Sequence, residues 1–515
     1  MKKEKTVGTV TENDYVIRVL DSPLQVPAAD WNALLVAQPG DASLNPFMRH
    51  EYLAAMLESG SATPQTGWTA RFVTLSLGAQ LVGACALYLK DHSYGEYVFD
   101  HAWANAYHQH GLPYYPKALV APPFTPVPGP RLLARDAATR TRLVKALVAW
   151  CGEEELSSLH LLFVTDEDVA ACEEAGLMLR HNVQFHWTNT APTLVASRTA
   201  LPPEGALRLR PGKAGSAALA GNNNAPTLGT DVSSLPPEGA LRLRPGKAGS
   251  AAPAGEEGEG RPFRDFDDFL MSLSQEKRKK IRQERRKVQE AGVRFRWSLG
   301  KNISAADWNF FYRCYERTYY EHGNAPYLSR DFFQRMQATM PENWLLFVAE
   351  RDGTPIATSL IAVSAGGMAP TLGTGVSSLP SEGAELARGG PSLRSPRATG
   401  QFDDTNPVKV AYGRYWGALE RVDCLHFEAC YYQPLQWCIT HGYQRFEGGA
   451  QGEHKMARAL LPVKTTSAHW LAHPAFADAV ERFLEREGEG MAGYMEELER
   501  RNPFRQAGPG GHASP

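Results

Sequence analysis

The chain has 515 residues, 43% hydrophobic and 21% charged, with a formal net charge of −2. It is too long for one hydrophobic core, so two folded domains are expected, and no global field drives it onto nucleic acid or a membrane. Seven scattered cysteines without framework spacing, no apolar segment behind the N-terminal lysines and no run of about 18 apolar residues together predict a cytoplasmic protein with reduced thiols.

The first domain is expected over 12–190. Phe72 to Lys90 reads as strand, glycine turn, strand. An irregular aromatic segment follows, FDHAWANAYHQHGLPYYPKALVAPPFTPVPGPRLL, Phe99 to Leu133. It carries Asp100, His101, Trp103, Asn105, Tyr107, Tyr114, Tyr115 and Lys117. Aromatics at this density either wall a pocket or pack a loop against a core. A helix over 137–156 and the strands LHLLFV and VQFHW complete the unit.

Two segments lack the residues to make a core. Copies of APTL…LPPEGALRLRPGKAGSAA begin at Ala191 and Ala225, and a decayed copy begins at Ala369. Residues 191–260 contain no Phe, Tyr, Trp, Ile, Met or Cys, so they cannot bury enough to offset chain entropy. Disordered inserts are expected at 191–260 and 369–407, the first at a domain boundary and the second at a hairpin tip.

The second domain is expected over 261–475. Lys277 to Lys287 holds eight basic residues in eleven, with Ile281 and Val288 as its only apolar stripe. It reads either as a helix solvated around nearly its whole circumference or as a phosphate-binding helix through Lys280, Arg282, Arg285 and Arg286, for a tRNA or nucleotide-phosphate partner. Leu345 to Ser364 is a second hairpin turning at Asp352-Gly353, followed by VAYGRYWGAL with Arg414 and Trp416. The run HFEACYYQPLQWCITHGYQRFEGGAQGEHKMARALLPV, His426 to Val463, reads as a helix ended by Gly442, a strand over Tyr443 to Glu447, and a glycine-rich loop. Residues 476–515 are expected to form a C-terminal helix and a disordered tail.

The two quoted motif runs resemble the signatures of the FemAB-like N-acyltransferases within the GNAT superfamily, in that family's order. The resemblance implies an α/β (α+β) fold, a tandem pair of GNAT-like domains with a cleft between them. It implies transfer of an acyl or aminoacyl group from acyl-CoA or aminoacyl-tRNA to an amine of a peptidoglycan or other cell-envelope precursor. Two alternatives stand beside it: an acyl-CoA-dependent N-acetyltransferase of a small metabolite, and a non-catalytic binder of peptidoglycan fragments.

Acyl transfer to an amine needs a base and donors for the developing oxyanion. Glu453, His454, Glu447 and Glu428 are the candidate catalytic groups. His426, Tyr431, Tyr432, Gly448, Gly449, Gln451 and Lys455 join Arg414, Trp416 and the first-half aromatic set as candidate substrate-binding residues. The glycines would let substrate approach the backbone. Neither His101, His108 and His110 nor Cys430, Cys438 and His441 has a closed ligand spacing, so no metal is expected.

Overall fold

Asp352 and Gly353 both take positive φ, 51° and 74°, which is what a two-residue turn needs to match the twist of the strands it joins. The turn lies in a computed structural model that describes residues 15–191, 260–364, 374–377, 408–450 and 452–505. Gln451 and most of both inserts lie outside the described residues.

The first half runs β1 (Tyr15–Leu20), α1 (Ala28–Val36), α2 (His50–Glu58), β2 (Trp68–Leu77), β3 (Gln80–Lys90), α3 (His101–Gln109), β4 (Lys117–Val120), β5 (Leu133–Ala134), α4 (Ala137–Glu153), β6 (Ser158–Val164), α5 (Asp166–Glu174) and β7 (Met178–Thr188). The second runs α6 (Phe266–Ser272), α7 (Gln275–Glu290), β8 (Val293–Leu299), α8 (Ala305–Glu321), α9 (Arg330–Thr339), β9 (Trp344–Arg351), β10 (Thr354–Val363), β11 (Thr374–Ser377), β12 (Val410–Ala418), α10 (Leu425–Phe427), α11 (Gln433–His441), β13 (Arg445–Ala450), β14 (Leu461–Leu471) and α12 (Pro474–Arg500). None of these helices is long and apolar enough to cross a membrane.

One mixed sheet joins the halves, in the order β1-β2-β3-β4-β6-β14-β7-β13-β12-β10-β9-β8-β11, with β5 pairing β3. Each half holds one parallel pair, β4 with β6 and β12 with β13, bridged by a crossover helix. Each half also gives its last strand away: β7 pairs with β13 and β14 with β6. The tandem units are therefore locked by reciprocal strand exchange. A shared core reinforces this, with Tyr52 of α2 meeting Phe332 of α9 edge-on at 5.5 Å.

Three expectations need correction. The segment after Asp100 is not irregular: α3 forms, and Trp103 and Tyr107 pack against α12. The basic helix α7 is not solvated nearly all round, because Glu284 and Arg285 are buried beside Ile281 and Val288. Within the second insert, β11 pairs antiparallel with β8. Pro434 sits in a continuous helical run, where a π turn over Glu428–Tyr432 just before it relieves the clash a proline ring makes with the preceding turn.

Candidate active site

The pseudo-symmetry singles out a candidate site. In β6·β14 the ladder slips after Leu161↔Ala468, resuming at Val164↔Thr466. In β13·β7 it slips after Glu447↔His186, resuming at Ala450↔Gln184. Both are one-residue bulges, and the bulged backbone turns left-handed at the equivalent residue of each, Phe163 at φ 55° and Gly449 at φ 76°. The equivalent rows across three strands are then Val120, Leu161, Ala468 in the first half and Tyr412, Glu447, His186 in the second. One row is apolar; the other carries a carboxylate, a phenol and an imidazole.

Glu447 lines a cleft of about 640 Å3 between the halves, with Asp41, His186, Tyr412 and Arg445 in its wall. Its carboxylate is 3% exposed. Arg445 donates to Oε1 at 3.0 Å and also pairs with Asp41. Oε2 is buried with no hydrogen-bond partner. Burial pushes the Glu447 carboxyl up to about 7, against the pull of Arg445. Burial, then Arg445, holds the His186 imidazole down at about 3, so it is neutral. A carboxylate poised near neutrality with one free oxygen can accept a proton from an amine. Asp166, Glu167 and Glu173 also line the cleft, which gives it a negative field suited to an ammonium group.

Of the glycines after Glu447, Gly448 serves close strand packing, whereas Gly449 faces open space and supplies the left-handed backbone of the bulge. A Cβ at Gly448 would lie 2.3 Å from Leu460 Cδ2 and 3.0 Å from the Phe185 carbonyl. Lys455 donates to the carbonyls of Gly448 and Gly449 at 2.6 and 3.2 Å, and burial lowers its pKa to about 8.

The other sequence-derived residues fall into separate places. Glu453 is exposed on a 3-10 turn, donated to by Arg501 at 2.5 Å and Tyr494 at 2.9 Å. Glu428 is fully buried and held by Arg285 at 3.0 Å and Gln433 at 2.7 Å, while Tyr432 and Arg458 bind Glu284. These two ion pairs fasten α7 to the π turn and the 3-10 turn. Trp416, His426, Tyr431 and His454 do come together: His426 lies 5.4 Å from Trp416 and 5.8 Å from Tyr431, whose hydroxyl is 3.4 Å from His454 Nε2. Lys280, Arg282 and Arg286 stay exposed on α7; Arg285 does not.

In the first half Lys117 is fully buried and donates to Glu96 at 2.7 Å, to Ser93 at 2.9 Å and to Asp100. Tyr114 donates to Asp100 at 2.6 Å, and His160 shares a 2.7 Å hydrogen bond with His469 of β14. Burial opposes the charge of Asp100, yet Lys117 beside it holds the carboxyl well below its usual range. Tyr115 reaches Ser93 at the network's edge, whereas His101 and Asn105 lie on the exposed face of α3. This network is sealed, and the His160–His469 bond ties the two halves. Asp41, His186, Tyr412 and Arg445 were not singled out from sequence. Arg445 was legible in principle, two residues from Glu447 on one strand face; Asp41 and His186 carry no local signal.

Among the described residues no group of three or more His, Cys, Asp or Glu side chains is placed to hold a metal. The profile of the FemAB-like family, described as peptidoglycan biosynthesis/recognition, matches residues 22–193, 259–368 and 406–506. Among solved structures, FemX is 8% identical with a TM-score of 0.42, over 88% of this chain and 98% of that one. The C-terminal (DUF2156) domain of a lysylphosphatidylglycerol synthetase from Agrobacterium fabrum is 8% identical with a TM-score of 0.38, over 87% and 93%. A tandem GNAT protein from the clavulanic acid pathway is 11% identical with a TM-score of 0.37, over 89% and 99%. A 60-residue stretch is 58% identical to cobyric acid synthase from Polaromonas sp. (strain JS666 / ATCC BAA-500), covering 12% of this chain and only 10% of that protein's length.

Proposed function

The chain belongs to the FemAB-like family of peptidoglycan biosynthesis and recognition, and from that premise we propose that it is an N-acyltransferase acting on an amine of a cell-envelope precursor, with Glu447 as general base. The observation that carries this reading is that Glu447, a wall residue of the cleft between the halves, keeps its buried Oε2 without a hydrogen-bond partner. The acceptor ammonium enters a cleft lined by carboxylates, gives its proton to Glu447, and the neutral amine attacks the acyl carbon of the donor; the leaving group departs and the second amine proton is lost to base or water. The donor is an acyl-CoA or an aminoacyl-tRNA. In this reading the exposed Lys280, Arg282 and Arg286 on α7 are the basic groups that meet its phosphates.

The test is a mass-spectrometric screen of the purified protein with acyl-CoA and aminoacyl-tRNA against lysine-containing envelope precursors. A product heavier by the acyl group, lost in Glu447→Gln, supports the reading. A product formed equally well by Glu447→Gln removes Glu447 from the mechanism, and the absence of product with every donor returns the chain to the recognition side of its family.

A further inference from the structure

Six arginines buried or half-buried against the body of the protein, Arg140, Arg180, Arg285, Arg296, Arg445 and Arg458, each have a carboxylate within 4 Å. The fully buried Arg131 has the Leu162 and Val127 carbonyls instead, and Arg414 of β12 likewise lacks a carboxylate. It is half-buried, and among the described residues no carboxylate pairs with it. Its terminal nitrogen donates to the Phe124 carbonyl at 2.8 Å, and its Nε is buried with no hydrogen-bond partner. Its guanidinium lies 5.3 Å from the Phe47 ring and 5.2 Å from the Tyr415 ring, with the Tyr52 and Tyr97 phenols nearby.

The surroundings are built from both halves. Tyr97 comes from the loop between β3 and α3 and Phe124 from the loop after β4; both hold left-handed backbone, φ 65° and 55°, without being glycine. Such strain persists only where surrounding structure enforces it, and it collects at ligand sites. Phe124 stacks on Tyr327 at 5.0 Å with 13° between the planes, and Tyr319 of α8 meets Tyr327 edge-on at 5.3 Å. Tyr97, Tyr319 and Tyr327 are each partly exposed, and Tyr94 beside Tyr327 is 44% exposed, so the group opens to solvent. An unpaired guanidinium behind phenol rings lacks one thing, a counter-anion. Burying a charge without one is costly, and the fork geometry of arginine fits phosphate or carboxylate oxygens.

We propose that Arg414 and the tyrosines in front of it form a subsite for an anionic group, a phosphate or a carboxylate, of the acceptor substrate. Arg414 follows Tyr412, a wall residue of the Glu447 cleft, by two positions on the same strand. Although β12 is bulged at Arg414, the Phe47 ring lies 5.3 Å from both the Tyr412 ring and the Arg414 guanidinium, so the two side chains share one side of the sheet and one molecule can place its anion at Arg414 and its amine at Glu447. The assignment of the ligand as acceptor rests on the reading of Glu447 as base; the anion site does not.

The test is calorimetric titration of the full chain at low salt with three probes: inorganic pyrophosphate, a nucleoside diphosphate, and a short peptide with a free C-terminal carboxylate. The wild type is expected to bind at least one, and which one identifies the source of the anion. Arg414→Gln keeps a donor for the Phe124 carbonyl and should weaken that binding at least ~10-fold, with partial recovery in Arg414→Lys. Tyr327→Ala, at the open mouth, should weaken it in a protein whose arginine is intact, which covers the case of Arg414→Gln failing to fold. Equal binding by Arg414→Gln, or no binding of any probe by the wild type, overturns the subsite. Glu447→Gln should leave probe binding unchanged while abolishing transfer, so the two readings fail separately.

Discussion

Glu447 is a residue whose two oxygens live in different environments, one held by Arg445 and one buried without a hydrogen-bond partner. Glu447→Gln should lower turnover by roughly 10² to 10⁴, since general-base catalysis contributes on that order. In the wild type kcat/KM should climb as pH rises through about 7, where the base form appears. Stability should move the other way. The folded pKa lies above the ordinary carboxylate value of 4.5, so the fold is favoured at low pH and loses stability as pH rises through 7. Glu447→Gln should therefore melt above the wild type at pH 8, with the gap closing by about pH 4.5. A pH-rate limb that survives in Glu447→Gln would assign the limb to another group. Glu453 makes the contrast: exposed and paired with Arg501, it should tolerate Gln with a stability change of about 0 to 1 kcal/mol and turnover near wild type. A Glu453→Gln variant that is folded and inactive, beside an active Glu447→Gln, would move the base back to the turn.

The helix α7 shows how one element can carry opposite roles on two faces. Glu428→Ala should destabilise by about 3 to 5 kcal/mol, because it strands the buried Arg285 guanidinium, and thermal melting of the variant reads this directly. Exchanging exposed Lys280 and Arg282 for Gln should cost about 0 to 1 kcal/mol each and act instead on salt-dependent donor binding. A small loss in Glu428→Ala would mean that the pair does not fasten this helix. The sequence pattern of α7 exposed its helicity and its charge, but not that Glu284 and Arg285 turn inward, because their partners lie over 140 residues away. The same distance effect hid the fate of Glu453, whose partners are Tyr494 on α12 and Arg501 just past its end. Local signals did place both hairpins by their turns and a strand at Glu447, but not its end: the strand runs on through Gly448 and Gly449 to Ala450, because a bulge absorbs the glycines that read as a turn. Alternation marks a strand without naming its neighbour, so the strand exchange between halves was not legible.

At the scale of the whole molecule, the inserts leave the fold where its two flanks already touch. The Ala191 amide donates to the Arg261 carbonyl at 2.8 Å, so residues 192–259 depart from and return to one point. The Ser364 amide likewise donates to the Val410 carbonyl at 2.8 Å, beside the paired ends of β10 and β12. Closing a shorter loop costs less entropy, by about 0.6 kcal/mol for each halving of its length, so removing 192–259 should leave the protein as stable or slightly more so. Replacing 365–407 with a short glycine linker preserves that junction but deletes β11, the edge strand on β8. The first deletion should thus keep a single cooperative melt at or above the wild-type temperature, and the second should melt lower through the lost edge pairing. Transfer activity should survive in both, since the described wall of the Glu447 cleft is built from residues outside the two segments. Loss of the cooperative transition in the first deletion would show that residues 192–259 contribute to the fold.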